Sequence, residues 1–149
     1  MPRTALFLTL AMLGGVSGAT AAKLDHPSPM PKVAVLMKSV VDKASTDLFN
    51  RAGNADPANG ADQILPDAKG WAAITTDATR LKSIALDLQS PKTGKIREVN
   101  WMVQARAMES SASAALRAST SRNPGALAKA ANDLADTCGA CHAVYKKQP

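Results

Sequence analysis

Four stretches of the chain repeat apolar residues at the three-and-four spacing of a helix, and proline or glycine marks the boundaries between them. The first opens at Pro31, a residue suited to a first helical turn, and carries Val33, Leu36, Met37, Val40, Val41, Ala44 and Leu48 before Gly53 closes it. Residues 54–66 are loop-like, with Pro57, Gly60 and Pro66. Asp67 is placed to cap a second helix through Trp71, Ile74, Ala78, Leu81, Ile84, Ala85 and Leu88, which Ser90-Pro91 and Gly94 break. A third helix is expected from about Ile96 to Ser119, with Met102, Ala105, Glu109, Ala112 and Leu116 in one line. Asn123-Pro124 then pairs a capping residue with proline at the first helical position, opening a fourth helix toward Lys147. No strand alternation or hairpin signal competes. The fold class is all-α, and the short or moderate connections favour an antiparallel up-down-up-down four-helix bundle.

The residues before Pro31 read differently. Arg3 is followed by the apolar run Ala5 to Leu13 and by the small-x-small pattern Ala19-Thr20-Ala21, the order of a secretory signal peptide. The run is too short to cross a bilayer, and Gly14, Gly15 and Gly18 weaken it as a buried helix. Residues 1–21 are therefore expected to be cleaved, residues 22–30, with Pro27 and Pro29, to form an extended lead-in, and residues 31–149 to form one helical domain. Cleavage removes one arginine and no acid, leaving a chain of charge +5 from the +6 of the whole. The expected destination is a bacterial periplasm.

Within such a bundle the core is thin. Beyond the leader there are only four aromatics, Phe49, Trp71, Trp101 and Tyr145, and the helices are rich in alanine. Small side chains bring backbones close but each buries little apolar area. An Ala-based bundle can manage alone, or something large and apolar can fill part of it; composition does not decide between them.

Cys138-Gly139-Ala140-Cys141-His142 does. This C-x-x-C-H run is the attachment signature of c-type haem. On a helix, Cys138 and Cys141 stand three apart and His142 four beyond Cys138, so all three project from one side. The thiols can form thioethers with the two porphyrin vinyl groups, and the imidazole is then held below the iron as its proximal ligand. One covalent haem c is the expected cofactor, and it supplies the bulk that the core lacks. Export agrees, because such attachment in bacteria takes place outside the cytoplasm. Other uses of the motif fit less well. A thioredoxin-like dithiol needs a preceding strand, a structural zinc needs four ligands where His26 is the only other histidine, and a disulfide across two residues within a helix strains the backbone.

The seven residues after His142 contain no candidate for a second axial ligand, so any such ligand comes from an earlier helix. At this point the chain resembles the class II c-type cytochromes, the cytochrome c′ family, over essentially all of residues 31–147. CGACHAVYKK carries the specific part of that resemblance, while the earlier helices match in pattern and spacing. The resemblance implies a left-handed four-helix bundle with the haem motif near the end of its last helix. Lys146 stands where the family usually has a basic residue flanking the proximal face. Val33 stands where the family often has an arginine, four residues before the distal position, so the chain departs from the pattern there.

In an up-down-up-down bundle the end of the fourth helix lies level with the starts of the first and third, which singles out Met37 and, behind it, Met102, and disfavours Met108. The resemblance places the distal residue on the first helix, where Met37 lies on the inward stripe with Val33, Val40 and Val41. A methionine there is either core filler or a distal iron ligand. The family divides on this point: a ligating methionine gives a six-coordinate low-spin electron carrier, and a non-ligating residue leaves a vacant distal site that binds nitric oxide or carbon monoxide. Both functions stay open, with single-electron transfer the leading one. No distal histidine or arginine constellation supports an enzyme.

The surplus charge suits a redox partner protein of acidic character, with Lys146 and Lys147 at the haem end and Lys92, Lys95 and Arg97 before the third helix; a solvated surface explains it equally well. No dense basic run with interleaved aromatics indicates nucleic-acid binding, and no membrane anchor remains after cleavage. Many members of the family form homodimers through their first two helices, though no apolar patch in this sequence demands it.

Overall fold

The computed structural model describes residues 31–94 and 97–146, so the expected signal peptide and lead-in, Lys95, Ile96 and Lys147 lie outside the described residues. Five α-helices pack together, and no strand occurs among the described residues. They are α1 (Pro31–Leu36), α2 (Asp42–Asn54), α3 (Ala68–Leu88), α4 (Val99–Thr120) and α5 (Pro124–Tyr145). A π-helical segment, Met37–Val41, joins α1 to α2 without a break, so these three pieces occupy the stretch expected to be one regular helix. No described helix is long and apolar enough to cross a membrane.

At the wider turn the Asp42 N–H reaches back five residues to the Met37 carbonyl, and Ser39 Oγ donates to the Val35 carbonyl at 2.7 Å, a bond that Thr75, Thr79 and Thr137 also make within regular helices. One extra residue is thereby taken up in the turn. The apolar positions still fall on one side, which is why periodicity alone reads this stretch as unbroken.

Capping sets the other ends as expected. The Asp67 carboxylate accepts from the Gly70 N–H at 2.6 Å, and the Asn123 side chain accepts from the Ala126 N–H at 2.9 Å. The loop between α2 and α3 holds a short 3-10 turn, Pro57–Asp62, opened by an Asp56 cap on the Ala58 N–H. The third long helix begins at Val99, three residues later than the sequence suggests. Before it the chain turns tightly at Gly94, where a side chain would collide with the Leu88 carbonyl and crowd the Trp101 indole.

Packing runs from α2 to α3, α3 to α4, α4 to α5, and from α5 back to α2. Thr75, early in α3, donates to Ser119, late in α4, at 3.0 Å, whereas Trp101, early in α4, donates to the carbonyl of Leu88 that ends α3. Among the described residues, twelve of the 23 buried apolar ones are alanines, and bulky side chains including Leu48, Ile74, Leu88, Trp101, Leu127 and Leu134 fill the space between them. On α4 the buried stripe runs through Trp101, Ala105, Met108, Ala112 and Ala115 rather than through Met102 and Glu109; Glu109 sits at the core's edge, accepting from the Gln89 amide at 2.8 Å.

Candidate functional site

Between the start of α4 and the last turns of α5, α5 offers one wall of a cleft. Cys138, Cys141 and His142 line that wall with Thr137, as the i, i+3, i+4 spacing requires. α4 contributes Trp101, Gln104, Ala105 and Met108; the end of α3 contributes Leu88; the π-helical segment contributes Met37 at its first residue and Val41 at its last. The cleft holds only about 40 Å3 of accessible space, below the roughly 300–1,000 Å3 span of small-molecule and cofactor sites, so a large group could enter only if its walls part. Apart from Gln104, Thr137 and the motif, its lining is apolar.

The structure thus brings the sequence-predicted residues together. Cys138, Cys141, His142 and Met37, separated by about a hundred positions in the chain, share one cavity. Met102 is half-buried and does not line it, while the buried Met108 does. Choosing methionines level with His142 overlooked the depth of the motif: Cys138 sits a full turn deeper on α5, and the cleft follows it there.

Trp101 builds the rim. Its indole N–H donates to the Leu88 carbonyl at 2.7 Å, satisfying one of the acceptors that a helix end leaves free, and its ring meets Tyr145 at 5.0 Å and 78°. One side chain therefore ties the end of α3, the start of α4 and the end of α5 together beside His142. The sequence marks Trp101 only as a rare aromatic; its hydrogen bond to a carbonyl 13 residues away has no local signature.

Burial dominates the electrostatics of this wall. Burial pushes both the Cys138 and the Cys141 thiol up, which keeps them protonated at neutral pH and unlike the thiolate of a redox dithiol. Desolvation against the wall, and then the Lys146 charge, push the His142 imidazole below its usual range and favour the neutral form that binds metal. Among the described residues no three His, Cys, Asp or Glu side chains converge to hold a bare metal ion. The thiols and the imidazole stand along one face of α5 instead.

No family description, no curated protein and no solved structure matches the chain.

Proposed function

We propose that the chain is an exported, periplasmic monohaem cytochrome of the class II type that carries single electrons, built as an antiparallel up-down-up-down four-helix bundle. The observation that carries this reading is the sharing of one apolar cleft by both cysteines and the histidine of C-x-x-C-H with Met37 from the opposite end of the domain sequence. For the topology, support comes from short connections, from packing that returns from α5 to α2, and from the contacts of α4 with both α3 and α5.

Each lining residue has a task in this reading. Cys138 and Cys141 would hold a porphyrin through thioethers, and His142 and Met37 would offer it a nitrogen and a sulfur ligand. Val41, Leu88, Ala105 and Met108 exclude water, and Trp101 holds the rim closed at Leu88. Haem bound here would supply a reversible one-electron ferric/ferrous couple. Soft sulfur ligation and a dry surround both favour the ferrous state, which suits a carrier of relatively high potential.

A vacant distal site that admits nitric oxide or carbon monoxide is the competing reading, and the absorption spectrum separates the two. The reduced holoprotein is expected to show sharp low-spin bands and to resist carbon monoxide, and Met37→Ala is expected to broaden the bands and admit the gas. Broad high-spin bands in the wild type, unaltered by Met37→Ala, would replace electron transfer with gas binding.

A further inference from the structure

The cleft has the lining of a site, yet it is nearly shut. With about 40 Å3 free inside it, one wall has to give way before any cofactor-sized group lies between Met37 and His142. The walls are not held equally firmly.

Three of them are fastened to one another. α4 packs extensively against both α3 and α5. Trp101 of α4 bonds the Leu88 carbonyl that ends α3 and meets Tyr145 of α5 edge-on. Further along, Gln89 donates to Glu109 at 2.8 Å and Thr75 donates to Ser119 at 3.0 Å. Displacing any of these helices breaks such bonds and exposes buried apolar side chains.

The fourth wall is different. None of residues 32–40 is buried, and α1 packs chiefly on the π-helical segment that follows it. Among the described residues no hydrogen bond or ion pair joins this stretch to α3, α4 or α5; its one side-chain bond, from Ser39 to Val35, is internal. Only the half-buried Val33, Leu36, Met37 and Val40 rest against the core. Burial starts at Val41, the last residue of the π-helical segment, and continues through Ala44, Leu48 and Ala52 of α2. The chain is therefore anchored from Val41 onward and lightly held before it, and a segment with so few buried contacts opens at low cost.

We infer that α1 and the residues up to Val40 form a flap that swings about the π-helical segment, outward to admit a flat apolar group beside Cys138 and Cys141, then back to lay Met37 over it. The inference rests on the cleft being the working site proposed above, though not on which atoms coordinate iron in it.

The test follows hemin uptake by the cofactor-free, full-length protein in stopped-flow absorption. Entry that waits for the flap is expected to level off in rate as hemin is raised. Leu36→Ala, which loosens only the flap, is expected to raise the plateau at least threefold; Ile74→Val, a mild cavity in α3 away from the cleft, is expected to leave it unchanged. Amide exchange of residues 37–41 in the same protein is expected to be at least tenfold faster than around Ile74, and faster still in Leu36→Ala. A rate that climbs in proportion to hemin without a plateau, an equal effect of the two variants, exchange at 37–41 as slow as around Ile74, or no hemin uptake at all would each overturn the flap. Covalent haem in protein made with maturation machinery is read separately by mass, so the flap and the cytochrome reading can fail independently.

Discussion

At Trp101 and Asp77 single side chains carry opposite lessons. Trp101 is buried and fully used: its indole N–H and its ring both find partners, and the cleft rim depends on them. Asp77 is buried outside the cleft, with Arg80 at 3.7 Å as its ion-pair neighbour. Burial, followed by the nearby Asp47 charge, pushes the Asp77 carboxyl above the usual carboxylate range. A carboxyl whose pKa is raised by folding favours the folded state below its unfolded value and disfavours it once pH rises through the folded one. Asp77→Asn is therefore expected to raise stability at pH 7, with the gain shrinking to nothing on acidification below the ordinary carboxylate range. Urea unfolding at a series of pH values reads this directly, and a variant less stable than wild type at pH 7 would show that the Arg80 pair outweighs the burial. That Cys138, Cys141 and His142 share one face was legible at this scale because it follows from their spacing within one helical turn. The Trp101 bond and the position of Met108 were not, since both depend on how deep one helix lies against another.

Among the elements, the helix starts were the easiest to read. Asp67 and Asn123-Pro124 act through bonds to residues three positions away, and such local chemistry is visible in a string of letters. The π-helical segment was not visible, because Val33, Met37 and Val41 keep an apolar stripe in either geometry. Its consequence lies in what it aims: the turn opens with Met37 and closes with Val41, and both line the cleft. π-turns are frequent at functional sites. Deleting Ser39 removes one residue and the hydroxyl bond to Val35 together, and a regular ladder then carries α1 in nearly its present phase, because the turn had absorbed that residue. The deletion is expected to keep Met37 in the cleft and to leave the low-spin spectrum unchanged. The broadened, carbon monoxide-sensitive spectrum of Met37→Ala in the deletion variant would show that the π-turn itself aims Met37.

Over the whole molecule, buried side chains of different size are mixed along the bundle. Leu48, Ile74, Leu81, Leu127 and Leu134 lie in the same stretches, residues 44–81 and 107–136, as ten of the twelve buried alanines of the described residues, while Leu88, Trp101, Ala105 and Met108 line the cleft. A group held in the cleft would stabilise the folded state by covering that apolar lining. Without it, amide hydrogen exchange is expected to be fast in the first turns of α4 and the last turns of α5 and slow around Ile74 and Leu127; with it, the two regions should be protected alike. Uniform protection in the cofactor-free protein would show that the alanine core closes by itself.

The most direct test of the central claim is the intact mass of the protein made in a host with c-type haem maturation machinery, measured after acid and organic extraction. The expected mass is that of the processed chain plus one haem, falling to the chain alone when Cys138→Ala and Cys141→Ala are combined. A wild-type mass equal to the bare chain, or pigment that leaves with the solvent, would contradict covalent attachment and the function built on it.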